Sequence, residues 1–300
     1  MYVDCKDGSD AHSGASRTAA LKTLPKAVSR RPSVIEVSGG MCSLSKPLLI
    51  DQPTIIRGDG KTALSGGQAV TGWQPSPRHP GGKVMVADVS SFPLKEVKLL
   101  RLGTASLRRS RWPKLVGDGL TTPNFMFAME WSSGVPGPNR SYTDHKLGID
   151  PTKLLPGANL SAIAGSGFVH VLGCVEKDVN SQMTRVLSTG GTAAHPTATI
   201  RFRGTFTTNQ RYYFENVDWN LQEGEFYHDE QAGKLYAWPA ASQAEALMVE
   251  GAIAPVTDQL LEIRGHDTVI SNLTFLDTYV CIVQCSRYVR LHSTVFSLLC

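Results

Sequence analysis

Hydrophobic positions along this chain come mostly in short groups that alternate with polar ones, and helical spacing is confined to one early stretch. Between residues 33 and 67 the groups are Val34-Ile-Glu-Val37, Leu48-Leu-Ile50, Thr54-Ile-Ile56 and Ala63-Leu64. Each is followed by turn-forming residues: Gly39-Gly40, Asp51-Gln-Pro53, Gly58-Asp-Gly60 and Gly66-Gly67. Strands of three or four residues separated by Gly and Asp are what a coiled sheet needs at its corners. Near the other end one eight-residue phrase is written twice. Thr268-Val-Ile-Ser-Asn-Leu-Thr-Phe275 is followed, 21 residues on, by Val289-Arg-Leu-His-Ser-Thr-Val-Phe296. Both copies place an aliphatic residue third (Ile270, Leu291), a small polar residue fifth (Asn272, Ser293) and Phe last. A repeat of this length, rich in β-formers, predicts short strands stacked as a parallel solenoid, with Asn272 facing inward.

Helical spacing appears once. Ala20, Leu21, Leu24, Ala27 and Val28 fall at i, i+3, i+4 and i+7 intervals, and Pro32 marks the end. A helix there would cover the open end of a solenoid, which otherwise exposes unpaired strand edges. Between about 70 and 250 the pattern changes to longer β-type segments at 83–89, 168–175, 183–187, 199–206, 211–217 and 234–238. Gly224-Glu-Phe-Tyr227 and Leu235-Tyr-Ala-Trp238, joined through Asp229 to Gly233, read as a hairpin with a longer loop. Residues 116–156 are rich in Gly, Pro and Asn and are expected to be mostly loop. The reading is therefore an all-β chain in three parts. Residues 1–70 form an N-terminal cap and the first solenoid turns, 71–255 an inserted antiparallel, sandwich-like β region, and 256–300 the resumed solenoid.

Composition narrows the possible functions. Charged residues make up 19% of the chain, below the usual quarter or so, and the net charge is only +4. Lys and Arg are scattered and do not interleave with aromatics, which argues against nucleic-acid binding. The one basic cluster, Arg101, Arg108, Arg109 and Arg111, reads as a solvated or ion-paired edge. No run of about eighteen apolar residues is present, so no membrane span is predicted. The first residues carry no apolar leader core, so the chain is either intracellular or a portion of a longer exported one. The six cysteines (Cys5, Cys42, Cys174, Cys281, Cys285, Cys300) are widely spread and match no zinc ribbon or small disulfide scaffold. Cys281 and Cys285 read as buried thiols. No metal or cofactor is implied. Asn139-Arg-Ser, Asn159-Leu-Ser and Asn272-Leu-Thr are acceptor sequons that permit secretion without requiring it.

Several phrases in order resemble the right-handed parallel β-helix proteins related to polysaccharide-active glycoside hydrolases, the xylanase-like and α-fucosidase-like group. Tyr2-Val-Asp-Cys-Lys-Asp-Gly-Ser-Asp10 with Thr23-Leu-Pro-Lys-Ala27 is similar to that family's entry loop and capping helix. Gly39-Gly40 with Leu44-Ser-Lys-Pro-Leu48 resembles its first rung. Leu64-Ser-Gly-Gly67 followed by Thr71-Gly-Trp73 is the most specific match. Arg111-Trp-Pro113, Gly224-Glu-Phe-Tyr227 and Lys234-Leu-Tyr-Ala-Trp-Pro239 complete the series. The resemblance implies the N-terminal part of a carbohydrate-active protein, a glycoside hydrolase acting on a plant, algal or bacterial polysaccharide. It implies an extracellular or cell-surface setting, and catalytic carboxylates on rungs beyond residue 300. The alternatives are a non-catalytic carbohydrate-binding or surface module, or an inactive fragment.

Glycoside hydrolysis needs two carboxyl groups about 5–5.5 Å apart when retaining and about 6.5–9.5 Å when inverting. Acids on rungs one or two steps apart, at roughly 4.8 Å per step, could form such a pair. Asp277, just after the first octet, and Asp267, just before it, are the catalytic candidates. Their counterparts one repeat later are Leu298 and near Arg287, so the visible repeat supplies no matched carboxylates; the bland alternative for Asp267 is an ion pair with Arg287. For substrate binding, Trp112, Trp131, Trp219 and Trp238 are candidates to stack on a sugar face, with Trp238 read as core and Trp131 as the best platform, and Arg111 could hold a hydroxyl or a uronate. His292 is the remaining candidate, at a position that should point outward. The expected partner is a polysaccharide or oligosaccharide.

Overall fold

The protein was analysed as a computed structural model. It describes residues 1–92, 96–116, 124–134, 141–172, 181–203, 208–219 and 221–278, and the backbone of Cys281–Cys285, Val289–His292 and Val295–Phe296. The chain is mostly β with few and short helices. It divides into two compact units. One comprises Met1–Trp73, Ser91–Ser106 and Glu245–Cys300; the other comprises Gln74–Ser90 and Leu107–Ala244.

In the first unit the short strands predicted from residues 33–67 are present as Val34–Ser38, Met41–Ser43, Leu48–Ile50, Ile55–Gly58 and Ala63–Ser65. All pair in parallel, in three sheets. One sheet runs in order Tyr2–Asp4, Val34–Ser38, Ile55–Gly58, Thr268–Ser271 and Val289–His292. The second contains Met41–Ser43, Ala63–Ser65, Thr274–Leu276 and Val295–Phe296. The third joins Leu48–Ile50, Gln259–Ile263 and Cys281–Cys285. The two octets pair in the register of the repeat, Thr268 with Val289, Ile270 with Leu291 and Phe275 with Phe296.

The alternation along each strand decides its inward face. In Val34–Ser38 the buried positions are Ile35 and Val37; in Leu48–Ile50 they are Leu48 and Ile50, while Leu49 is exposed. Register then lines the inward residues up into ladders: Ile35, Ile56 and Ile270; Cys42, Leu64 and Phe275; Ile50 and Ile263. All belong to one apolar cluster. Burying each large side chain contributes about 1.5–3 kcal/mol, so the ladders hold the unit together. Gly58 allows the turns of successive strands to approach, since a Cβ there would stand 2.0 Å from the Asn272 carbonyl oxygen.

Two expectations for this unit are corrected. The helix is only Leu24–Ser29, with Thr23 capping the Lys26 amide and Pro25 in its first turn; Leu21 is extended and bridges Val3. Asp10 accepts the Lys22 and Thr23 amides and the Thr23 hydroxyl, which holds the chain extended up to the helix start. Leu24 and Ala27 still enter the core beside Val3 and Ile35. Asn272 does not face inward: it is exposed and turns the corner between two strands at φ 55, a left-handed conformation that Asn tolerates. Cys5 and Cys42 form a disulfide with Cα atoms 5.2 Å apart, a pairing that 37 residues of separation did not signal.

The second unit is antiparallel in nearly all of its pairings. Its larger sheet runs Arg111–Trp112, Arg211–Glu215, Phe168–Val171, Gln182–Gly191, Pro196–Arg203 and Tyr142–Gly148, with Met126–Phe127 also on Arg211–Glu215. Val169, Val186, Ile200, Tyr212 and Phe214 fill its core. The strand Tyr142–Gly148 lies within the stretch expected to be loop. The hairpin is Glu225–Asp229 against Lys234–Trp238, extended by Met85–Asp88 and Gln74–Pro75.

Candidate functional site

Asp277 follows the strand Thr274–Leu276 and sits at φ 56. Its carboxylate is 1% exposed and accepts a two-pronged contact from Arg101, Nε to Oδ1 at 2.7 Å and Nη2 to Oδ2 at 2.8 Å. The Ser65 hydroxyl donates to Oδ2 at 2.6 Å and itself accepts from the Gly67 amide at 3.1 Å. Gly67 has to be glycine for this packing, because a Cβ would stand 2.2 Å from Ile253 and 3.0 Å from the Asp277 Cβ. Hydrogen bonding to Asp277 holds the Arg101 guanidinium above its ordinary range, against the opposing pull of burial. Both carboxylate oxygens are thus committed to protein donors in a closed environment.

Asp267, at φ 50, is the opposite case. Its side chain is 81% exposed and its Oδ2 lies 2.8 Å from the His266 Nδ1. The two sequence candidates for catalysis therefore occupy different settings, one sealed and one in solvent. The Arg287 partner considered for Asp267 and the His292 side chain lie outside the described residues; His292 is placed only as the end of a strand.

Arg111 and Trp112 sit on the edge strand paired with Phe214 and Glu215. The Arg111 guanidinium lies 3.7 Å from the centre of the Tyr213 ring and donates to the carbonyls of Pro113 and Asn124. Burial pushes this guanidinium below its ordinary range, while Tyr213, Glu215 and Glu225 pull it back. The Tyr213 hydroxyl contacts His170 Nδ1, and burial raises the phenol to about 12. Burial lowers His170. Nearby, Lys114 pairs with Glu225 at 2.5 Å and Arg109 with Glu215 at 3.8 Å. This is a network whose charges answer one another, and Trp112 joins it to the unit by donating to the Lys153 carbonyl at 2.9 Å. Within the basic stretch 101–111, Arg101 and Arg109 are ion-paired, while Arg111 is held by carbonyls and the Tyr213 ring. Trp131 is half-buried, donates to the Pro196 carbonyl at 3.1 Å and meets His195 edge to face at 4.5 Å.

The feature that sequence reasoning missed is a cleft of about 530 Å³ in the second unit. Arg78, Asp218, Asn159 and Trp219 contribute to its lining, with Leu155 and Ala162 among the apolar residues. Arg78 reaches Asp218 with one terminal nitrogen and Asp229 with the other, the latter at 3.3 Å. Burial acts to lower the Arg78 guanidinium, but Asp218 and the Tyr236 hydroxyl hold it above its usual range. His79 packs edge to face on Tyr236, and burial together with the Arg78 charge lowers it. Trp219 was among the stacking candidates in the sequence, but its partners in the cleft come from segments distant along the chain, and no local pattern signalled them.

Among the described residues no group of three or more His, Cys, Asp or Glu side chains could hold a metal ion. Among the same residues, no helix is long and apolar enough to cross a membrane.

No protein-family model matches the chain. No curated protein matches it either. A solved structure described as a glycoside hydrolase is similar with a TM-score of 0.65 and 23% identity, covering 93% of this chain and 50% of that one. That likeness shows the fold, and this chain spans about half the length of the structure it matches. A second solved structure, described as the complex of XylC with xylose, covers 96% of this chain and 42% of its own at 12% identity; its TM-score of 0.30 is too low to carry an argument.

Proposed function

We propose that this chain is part of a carbohydrate-active protein of the glycoside hydrolase type. In this reading its three parallel sheets are the first rungs of a right-handed parallel β-helix. The observation that carries the reading is the fold likeness across nearly the whole chain to a solved glycoside hydrolase. The ordered phrases from the entry loop to the terminal rungs support it from the sequence side. Fold alone does not specify chemistry, so the site must decide what the described residues can do.

For these residues the geometry favours recognition over bond cleavage. A general acid or nucleophile must reach the glycosidic oxygen or the anomeric carbon. Asp277 is sealed and bonded to Arg101 and Ser65, and Asp267 stands in solvent with its carboxylate against His266. The bond-breaking pair of the whole protein is accordingly assigned elsewhere than these two residues. An extracellular or cell-surface setting belongs to the same reading, and the Cys5–Cys42 disulfide supports it because such bonds persist in oxidising compartments.

Depletion of the purified chain from solution by insoluble plant, algal and bacterial polysaccharides, run beside a reducing-end assay, tests the proposal. Depletion by at least one polysaccharide without release of reducing ends is the expected result. Absence of depletion by all of them would remove the carbohydrate reading. Release of reducing ends that survives Asp277→Asn would show a catalytic pair elsewhere in this chain.

A further inference from the structure

We infer that the cleft beside Arg78 is a binding site for neutral oligosaccharides and discriminates against anionic sugars. The inference rests on the carbohydrate reading above and adds to it a place and a substrate class. At about 530 Å³ the cleft falls within the range of roughly 300–1,000 Å³ usual for small-ligand sites. Its lining divides as a sugar requires, with an apolar wall including Leu155, Ala162 and the nearly buried Trp219, and polar groups from Arg78, Asp218 and Asn159. An aliphatic and aromatic wall suits the apolar face of a pyranose, and the polar groups suit its hydroxyl rim.

Asn159 is poised for this role. Its side-chain oxygen is already committed, accepting the Ser161 amide at 3.1 Å and the Ser161 hydroxyl at 2.6 Å. That fixes the orientation of an exposed side chain and leaves its amide N–H groups to donate.

Charge then selects the ligand. Arg78 contributes one positive charge, and Asp218 and Asp229, its two partners, contribute two negative ones, a surplus of one negative charge. His79, held below its ordinary pKa by burial, adds no charge at neutral pH. The fork that would receive a uronate carboxylate is occupied at both ends, so an acidic sugar would have to displace a bonded carboxylate while facing another. A neutral sugar meets no such penalty: its hydroxyls donate to the carboxylates and accept from Asn159.

The test is a tryptophan-fluorescence titration of the intact chain at low ionic strength with cello-, xylo- and mannohexaose and with hexagalacturonate. At least one neutral hexasaccharide should bind, and hexagalacturonate should bind at least tenfold more weakly. Asn159→Ala should weaken neutral binding about five- to tenfold, the effect of one lost hydrogen bond, and also lower the unfolding temperature because it removes both Ser161 bonds. Asn159→Asp, which keeps those acceptor bonds and loses the amide donors, should weaken binding with unchanged thermal unfolding. Ala162→Trp, which fills the cleft, should abolish it. Asp218→Asn should narrow the gap between neutral and acidic ligands. Equal or tighter binding of hexagalacturonate overturns the inference. Neutral binding that is indifferent to both Asn159→Ala and Ala162→Trp also overturns it, while leaving the carbohydrate reading in place. If none of the four sugars binds, the cleft assignment fails, and the polysaccharide depletion experiment then decides whether the carbohydrate reading fails with it.

Discussion

Replacing Asp277 by alanine would leave the Arg101 guanidinium, itself only 11% exposed, without its counter-charge. Breaking a buried pair from one side costs roughly 3–5 kcal/mol, because the remaining charge stays desolvated. Alanine at φ 56 is also less tolerant of the left-handed region than aspartate, by up to about 1 kcal/mol. Asp277→Asn keeps the backbone preference and an acceptor for Ser65 while losing the charge, so it should cost about half as much. Removing both charges together, as Arg101→Met with Asp277→Leu, should cost less than Asp277→Ala alone, since no charge is then stranded. Stability should be read in the first unit specifically, by hydrogen exchange of the amides of Ile55–Gly58 and Thr268–Ser271 under increasing urea. Two units need not unfold as one. An Asp277→Ala protein within about 0.5 kcal/mol of the parent, yet defective in carbohydrate binding or turnover, would rule out the structural role and make the carboxylate a functional group.

Removing the Cys5–Cys42 bond by paired alanine substitutions releases a loop of 37 residues; chain-entropy arguments put the loss at about 4 kcal/mol, and strong reductant should lower the melting temperature of the parent but not of the variant. The second unit should lose stability in mild acid. Burial lowers His79, His145 and His170 below the ordinary value of 6.5, so the unfolded chain takes up protons before the folded one does. Their contribution is complete above that value and declines as pH falls through it; thermal unfolding at pH 8 and pH 5.5 should differ, and a flat profile would contradict the assignment. At lower pH the first unit should follow. Asp10 and Asp59 are held below 3.8 because hydrogen bonds from Thr23 and Lys22, and from Lys61 and Thr62, outweigh the upward push of burial. Exchange protection near these two turns should be retained above that value and fall away below it.

The parts of the fold legible in sequence are those whose information is local. Leu48–Ile50 and Lys234–Trp238 coincide with their predicted strands because a short apolar run is bounded on both sides by turn formers. The paired octets were legible because a repeat states its own register. The strand Tyr142–Gly148 was not, since its buried positions are His145, Leu147 and Gly148 and its outward side carries Asp144 and Lys146. Its place is secured across strands by pairing with Pro196–Arg203 and by Arg201 bonding Asp144, which no local pattern reveals. Asn272 shows a subtler limit: a small polar residue fifth in the octet could serve a ladder or a corner, and the backbone chose the corner. At the candidate sites the limit is distance along the chain. Asp277 meets a partner 176 residues earlier, and Arg78 meets one 140 residues later. The residue types drew attention to Asp277; only the fold shows that its charge is already spent.

Whether the chain recognises carbohydrate is decided by affinity electrophoresis of all 300 residues through gels containing soluble neutral polysaccharide. Retardation by at least one neutral polysaccharide is expected, relieved by Ala162→Trp in the second unit and retained by Asp267→Ala. Unchanged mobility in every polysaccharide gel would rule out carbohydrate recognition by these residues.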